Sequence, residues 1–574
     1  MRGITFLAMV FCLSLYQGFY LCAQSEPLPH AAQQGLTEQE GWNRDRPELP
    51  DFRKEIPKPD LPPMPPDQRE NKTGPDLSEI MVNRFNFVGN TVFSTDELLA
   101  LARPFMNRKI SFEDLQTLRL MITRHYTDSG FINSGAILPD QEVIDGVVTF
   151  RIIEGRLTEI EVSGNNRLRE FYIRNRLALG MDGPLNIHQL QESVRMLAEN
   201  PLIDRINAEL GPGSQLGEAV LTARIVEKSP CKVGIEVNNQ QSPRIGSEGA
   251  ELYASDRNLF GAGDTLGFRI GLTEGLKDVM GYYELPVTAR DTTVQIRYDR
   301  SSSEVVERPF DILDIKGKSS TIGVGVRHPI YHTSSHEIAI ALRCELRESE
   351  TFLLGHPFSF TEGVENGESR VTALRFVQEW FYRKPTQVLA FRSVVSAGID
   401  AFGATIHSNG PDGRFLAWLA QIQWAHRFNS GQAIFRTDMQ CCDESVLPME
   451  KFSVGGESSV RGYRVNELVR DNAVVGSLEL RFPLLRLPIP RISKSAEDGT
   501  LQLAVFSDWG WAENSNDPNF GPRTIASAGP GVRWDPSQNL HARFYWGIAF
   551  RDMDYGETDP RDSGIHFQID WRLF

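Results

Sequence analysis

Beyond residue 21 the sequence has no uninterrupted apolar run of the about 18 residues that a membrane-crossing helix needs, so a helical span is excluded. Cysteine is scarce. Of six in 574 residues, Cys12 and Cys22 lie in or beside the N-terminal apolar stretch. The remaining Cys231, Cys344, Cys441 and Cys442 fit neither a zinc motif nor a Cys-x-x-Cys redox pair, and vicinal Cys441 and Cys442 would make a strained bridge. A disulfide framework is therefore excluded. Long basic blocks are absent and the formal net charge is -15, which argues against nucleic-acid binding by phosphate neutralisation. The 11 histidines are scattered, and Gly-x-Ser-x-Gly, His-Glu-x-x-His and Walker sequences are all missing. Carboxylates such as Glu345 and Glu348 read as solvated faces, so the chain is expected to hold no catalytic residue, metal or cofactor.

What the chain does have begins with Arg2 ahead of an apolar stretch over residues 4–21, closed by the small Ala23. This predicts a secretory signal peptide over 1–23; Ser14, Gln17 and Gly18 interrupt the run too often for a membrane anchor. Prolines then crowd the chain at Pro47, Pro50, Pro57, Pro59, Pro62, Pro63, Pro65, Pro66 and Pro75, marking a linker within residues 24–80. Ahead of it, residues 31–44 are polar and would form a short helix or stay disordered.

After the linker the chain repeats itself. Phe85-Asn86-Phe87-Val88-Gly89-Asn90 returns as Ile160-Glu161-Val162-Ser163-Gly164-Asn165. Each copy continues through two helical stretches and ends on a strand. Ser94 with Glu97 and Ser111 with Asp114 have capping-box spacing, and Phe112, Leu115, Leu118 and Ile122 form one apolar helical face. The order strand, helix, helix, strand, strand divides the region into 81–156 and 157–229.

From residue 230 to 574 the texture changes to short alternating segments. Leu540, Ala542, Phe544, Trp546, Ile548 and Phe550 point one way, against His541, Arg543, Tyr545 and Arg551. Val474, Leu478, Leu480 and Phe482 oppose Ser477, Glu479 and Arg481, and Leu416, Trp418, Ala420, Ile422 and Trp424 oppose Gln421, Gln423 and Arg427. Apolar-out, charged-in alternation is the transmembrane β-barrel pattern; with an export signal ahead of it, a soluble sandwich fits less well. Strands are expected to start near residues 231, 250, 264, 277, 292, 316, 336, 369, 387, 415, 432, 472, 501, 527, 539 and 565, which gives about 16 antiparallel strands. Connections after even strands are mostly short and those after odd strands mostly long; residues 484–499 break that rule. At the C-terminus Ile565, Phe567, Ile569, Trp571 and Leu573 form the lipid face, which leaves Phe574 in the register of Asp570 and Arg572.

Within this region Val460-Arg461-Gly462-Tyr463 falls in the outer loop between the eleventh and twelfth strands, and Phe506-Ser507-Asp508-Trp509-Gly510 ends the thirteenth. Alternation turns Gln502, Phe506 and Asp508 toward the lumen. An arginine among glycines can drop into a cavity and be held there by a carboxylate in a bidentate hydrogen bond. These residues therefore read as a latch between Arg461 and Asp508, with Phe506 as a packing surface for Tyr463 or the Gly462 backbone.

Both segments resemble the signature segments of outer-membrane barrels that translocate or insert polypeptides. The chain resembles in particular the TpsB transporters of two-partner secretion, the hemolysin secretion and activation group, and each repeat resembles a POTRA (polypeptide-transport-associated) domain. Asn258-Leu259-Phe260-Gly261-Ala262-Gly263-Asp264 also resembles a family segment and reads as a glycine turn without direct function. The resemblance implies a bacterial outer-membrane monomer surrounded by lipid and inserted by the barrel assembly machinery. Its two periplasmic POTRA domains would bind a secreted exoprotein client somewhere within 81–229, and the segment before the linker would plug the pore. An assembly factor for other barrels is the rival reading. A passive porin would have no need of the repeat.

Overall fold

The computed structural model describes Leu49, Phe52 and residues 79–516, 521–553, 555 and 559–574. The expected leader and nearly all of the 24–80 segment lie outside the described residues.

The first repeat runs from the strand Arg84–Val88 through helix α1 (Thr95–Ala102) and helix α2 (Phe112–Asp128) to the strands Gly135–Ile137 and Val147–Ile153. Both capping boxes form. Ser94 accepts from the Glu97 N–H while Glu97 returns to the cap backbone, and Ser111 and Asp114 do the same, satisfying amides that open each helix. Leu115, Leu118, Ile122 and Tyr126 are buried on α2, whereas Phe112, in the first turn, stays exposed. Val147–Ile153 is the centre of a three-stranded sheet, parallel to Arg84–Val88 and antiparallel to Gly135–Ile137.

The second repeat has the same plan. Arg156–Ser163 leads to α3 (Glu170–Leu177), α4 (Ile187–Ala198) and the strands Ile203–Pro212 and Glu218–Glu227, the last being central. Each repeat buries its own apolar core. The recurring Gly-Asn has a shared cause: Gly89 and Gly164 adopt positive φ, and an added Cβ would stand 2.6 and 2.3 Å from the carbonyls of Ile152 and Ile225. The next turn is tied down by a carboxylate in both copies. Glu154 accepts from the Thr91 and Val92 amides at 2.7 and 2.8 Å and from Tyr126 Oη at 2.9 Å; Glu227 accepts from the Asn166 and Leu168 amides at 2.7 and 3.0 Å.

The barrel strands are β1 (Cys231–Asn238), β2 (Gly249–Asp256), β3 (Thr265–Leu272), β4 (Leu276–Pro286), β5 (Thr293–Glu304), β6 (Lys316–His332), β7 (His336–Leu353) and β8 (Glu368–Arg383). They continue as β9 (Gln387–Gly398), β10 (Leu416–Phe428), β11 (Gly431–Cys442), β12 (Asn472–Arg486), β13 (Thr500–Glu513), β14 (Thr524–Ser537), β15 (Leu540–Trp546) and β16 (Ile565–Arg572). Neighbours pair antiparallel, and β16 returns to β1 from Gln568↔Asn238 to Arg572↔Gly234, closing a 16-strand barrel. Leu478, Val505, Phe544, Trp546, Ile569 and Trp571 are exposed on its outside, while Arg375, Gln421, Glu479 and Asp508 are buried within.

Fifteen starts fall within one residue of expectation. The exception is β14, which begins at Thr524 because Thr524 already pairs with Trp511. The long 484–499 connection is real: β12 runs to Arg486 through an irregularity between Pro483 and Leu485, and residues 487–499 make the turn. Glu345 and Glu348 are no pair, since three residues along a strand put them on opposite faces. Glu345 binds Arg375 at 2.6 Å and Glu348 binds Arg370 at 3.3 Å. All four cysteines outside the N-terminal stretch are free.

The second repeat docks on the turns that follow even strands. In the β2–β3 turn the Gly261 carbonyl accepts from the Arg169 amide at 2.9 Å, and an added Cβ on Gly263 would lie 2.4 Å from the Tyr172 ring. Arg176, stacked 3.5 Å from the Tyr172 ring centre, pairs with Asp291 in the β4–β5 turn. Glu192 accepts from the Ser334 amide of the β6–β7 turn at 2.7 Å. The glycine turn expected to lack a function is thus a docking surface. The same contacts put these turns on the side of the repeats and the long loops on the far side.

Candidate functional site

The loop between β11 and β12 leaves the far rim and folds back inside. Its stem is a small antiparallel ribbon, Phe452–Val454 against Leu468–Arg470, so the tip between them is presented as a stiff finger. Val460, Arg461 and Tyr463 at that tip are 0%, 5% and 0% exposed. Gly510 on β13 leaves room for it, since an added Cβ would stand 2.4 Å from Val454 and 3.1 Å from Val460.

Arg461 reaches the wall formed by β12 and β13. Its Nε and Nη2 donate to the two oxygens of Asp508 at 2.7 and 2.8 Å, and its backbone N–H donates to Asp508 Oδ2 at 3.0 Å. Nη1 donates to Glu479 Oε2 at 2.6 Å and Nη2 to Ser477 Oγ at 3.1 Å. The guanidinium lies 3.6 Å from the Phe506 ring centre and 4.8 Å from that of Tyr545. These rings meet edge to face, and Tyr545 Oη donates to Glu479 Oε1 at 2.9 Å. A planar cation between two carboxylates and two rings satisfies the bidentate and stacking preferences that separate arginine from lysine.

The structure thus brings Arg461, Asp508 and Phe506 together, but Phe506 does not serve Tyr463. Phe506 shares its cluster with Ala504 and Tyr545, under the guanidinium. Tyr463 belongs to the cluster of Val454, Val460 and Val475; its hydroxyl donates to the Ala526 carbonyl at 3.0 Å and accepts from the Arg551 amide at 3.1 Å. The alternation of β13 fixed which way Phe506 points, while its partner depends on β15, whose register against β13 no local pattern encodes. Gly462 has φ +90, and an added Cβ would lie 2.7 Å from the Gly547 carbonyl, so the finger presses on the chain between β15 and β16.

Several further anchors hold the finger. Gly462 N–H donates to His566 Nε2 at 3.0 Å. Arg464 makes a bidentate contact with Asp562 at 2.6 and 2.8 Å and reaches Glu307 at 2.8 Å. On the wall of β7 and β8 Glu450, at the loop's root, accepts from Arg375 at 2.9 Å and from Arg347 at 3.0 Å. Alternation would have placed Glu479 and Tyr545 on the lumen side; it gives no hint for loop residues such as Glu450. A small gap lined by Asp438, Glu457, Ser459 and Ser477 lies between the tip and the wall of β11 and β12. Among the described residues no group of three or more His, Cys, Asp and Glu side chains is placed to hold a metal. The arrangement offers a multipoint lock.

Residues 217–534 match the model of the family described as haemolysin secretion/activation protein ShlB/FhaC/HecB, and residues 80–155 match the ShlB-type POTRA domain. The first match covers more than half of the chain. The chain belongs to this family. It is similar to the outer membrane transporter CdiB of Escherichia coli O6:K15:H31 (strain 536 / UPEC), at 22% identity over 88% of this chain and 84% of that protein. It is also similar to the CdiB of Dickeya dadantii (strain 3937), at 20% identity over 71% of this chain and 72% of that one. Its fold matches the solved structure of CdiB from Escherichia coli with a TM-score of 0.65 and 19% identity, over 96% of this chain and 100% of the other. The protein is an outer-membrane transporter whose POTRA domains lie in the periplasm.

Proposed function

We propose that this protein exports a partner exoprotein from the periplasm to the cell surface in two-partner secretion. The client arrives unfolded, adds a strand to a POTRA sheet, and passes through the lumen. The finger holds the barrel in its closed or conducting form. One observation carries the reading: an outer loop is locked by a buried arginine inside a closed barrel whose periplasmic side bears sheet domains with a free edge. Ile203–Pro212 pairs only with Glu218–Glu227 among the described strands, so its outer edge is open to an extended client. With no cofactor or nucleotide implied, folding of the client outside supplies the drive.

The test deletes residues 79–229 and measures export of the exoprotein together with heat-modifiable migration of the barrel. Export is expected to vanish while the barrel still inserts, and the soluble 79–229 fragment is expected to bind the exoprotein's N-terminal part at micromolar concentrations. Absence of binding with export retained would overturn the strand-addition step. Loss of other outer-membrane barrels upon deletion would favour an assembly factor.

A further inference from the structure

Lysine and arginine turn outward on one side of the barrel only. Among the described barrel strands, those in the outward register are Lys277 on β4, Arg300 on β5, Lys316 and Lys318 on β6 and Arg370 on β8. All stand at outer strand ends. Toward the periplasm from them lie Val279, Tyr298 and Ile322, exposed members of the apolar band. Two of these cations are already paired: Lys316 Nζ lies 2.7 Å from Asp314 and Arg370 Nε 3.3 Å from Glu348. Lys277, Arg300 and Lys318 form no ion pair with a described residue. Glu350 stands opposite Lys318 on β7, yet Lys318 Nζ lies 5.1 Å from the Phe352 ring centre instead.

The register sets the three around one point. Lys277 pairs with Ser302 and Ser302 with Lys318, so the lysines flank a serine in one row across β4, β5 and β6. At about 4.8 Å per strand, their Cα atoms are about 10 Å apart. Arg300 precedes Ser302 by two residues on β5, diagonal to both lysines and about 7 to 8 Å from each. All four side chains are exposed, and the connection between β3 and β4 is only residues 273–275, so it brings no long loop over them.

A single cation at the end of an apolar band extends to the headgroups without a specific partner. Three side by side repel one another, and an anion shared among them turns that repulsion into attraction. Phosphate suits the arrangement, because its several oxygens each accept a charge-assisted hydrogen bond and the Ser302 hydroxyl adds a further donor. Height selects the source. The patch lies where the apolar band ends on the side of the long loops, and the outer leaflet there is built from a phosphorylated glycolipid, lipid A. We propose that Lys277, Arg300, Lys318 and Ser302 form a binding site for a phosphate group of lipid A, whose acyl chains lie along Val279, Tyr298 and Ile322. The site is on the outside of the wall, so it goes beyond the export reading and does not depend on it.

Native mass spectrometry of the full-length protein, released from non-ionic detergent and titrated with bisphosphorylated lipid A, tests this. One lipid A per barrel is expected to remain bound at micromolar concentrations. Lys277→Gln with Arg300→Gln and Lys318→Gln should weaken that binding by about tenfold or more, because three charge-assisted contacts are lost. Lys316→Gln with Arg370→Gln, which removes the two paired cations, should bind like the parent. Taking cations off a lipid-facing surface does not disfavour the barrel, and heat-modifiable migration confirms that both variants fold. Undiminished binding by the triple variant would overturn the proposal. So would phosphatidylglycerol binding as tightly as lipid A, which would make the patch a general anionic surface, or displacement of the lipid by millimolar inorganic phosphate, which would make free phosphate the ligand.

Discussion

Arg461→Ala strips the finger of its charge and leaves Asp508, 1% exposed, with only the residue 461 backbone N–H among the contacts described above. A buried ion pair broken on one side costs about 3 to 5 kcal/mol. The lower figure applies here, because Glu479 keeps Arg481 at 2.6 Å and Tyr545 at 2.9 Å. Asp508→Ala removes three hydrogen bonds but leaves the guanidinium on Glu479 and Ser477, so its cost is smaller, about 2 kcal/mol. The double variant removes both ends of the contact and should cost no more than Arg461→Ala alone. That leaves a coupling of about 2 kcal/mol, well above the 0.3 to 0.5 kcal/mol scatter of independent sites. A cysteine at Val460, in a chain whose native cysteines are serine, reports each opening through its labelling rate with a membrane-impermeant maleimide. At about 1.4 kcal/mol per decade, Arg461→Ala should speed labelling by roughly a hundredfold and Asp508→Ala by roughly thirtyfold. The double variant should match Arg461→Ala, with exoprotein secretion falling in all three while heat-modifiable migration of the barrel persists. Rates that multiply, or an Arg461→Ala protein that labels like its parent, would refute the shared contact.

Two further outcomes follow from the POTRA domains. Burial raises the Glu154 carboxyl's pKa, but hydrogen bonds from Thr91, Val92 and Tyr126 outweigh it and hold the value below the ordinary 4.5. The unfolded chain therefore takes up the proton first, so this stabilisation is complete above pH 4.5 and is lost as pH falls through the folded value. Urea unfolding of the 79–229 fragment should show a loss of stability below that pH that Glu154→Gln reduces; an identical acid profile in the variant would refute the assignment. Gly263→Val would drive a side chain into the Tyr172 ring, and is expected to free the second POTRA domain from the rim. Limited proteolysis between Glu227 and Cys231 should then accelerate with the barrel intact, and an unchanged rate would show that the β2–β3 turn does not hold the domain.

Much of this architecture was legible because a barrel wall repeats every two residues, and each strand declares its own faces. Leu501, Leu503 and Val505 put Asp508 inside without knowledge of any neighbour, and the glycines around Arg461 marked a chain able to enter a crowded space. The capping boxes at Ser94 and Ser111 were legible for a like reason, being contacts between residues three apart. What stayed hidden depends on separations that no local pattern spans. Alternation turns Phe506 inward and suggests Tyr463 or the Gly462 backbone as its partner, whereas its ring partner, Tyr545, arrives from β15 through the register of two strand pairs. Glu450 and Asp562 lie beyond such inference altogether, since an irregular loop carries no periodicity that aims a side chain, while the alternation of β16 turns His566 to the lumen but does not name its partner.

The balance of charge at the latch bears on whether it can open. Were Arg461 surrounded by partners that nothing else satisfies, withdrawal would strand every one of them and the finger would be permanent. Instead Glu479 is shared, bound by Arg481 from its own strand as well as by Arg461. With the finger withdrawn, Glu479 therefore keeps a cation and the Tyr545 hydroxyl, and the unmet cost falls chiefly on Asp508 and on the rings that lose their guanidinium. Water filling the space that the tip vacates can meet part of that cost, because a rehydrated carboxylate no longer suffers the penalty of burial. The loop's other contacts are differently placed. Arg464 with Asp562 of the β15–β16 loop, and Glu450 with Arg375 of β8, lie away from β12 and β13 and need not break when the tip leaves them. A finger held by separate locks can release one contact at a time, so on the function proposed above the path to an open lumen runs through several steps of about 2 to 3 kcal/mol rather than one step of their sum.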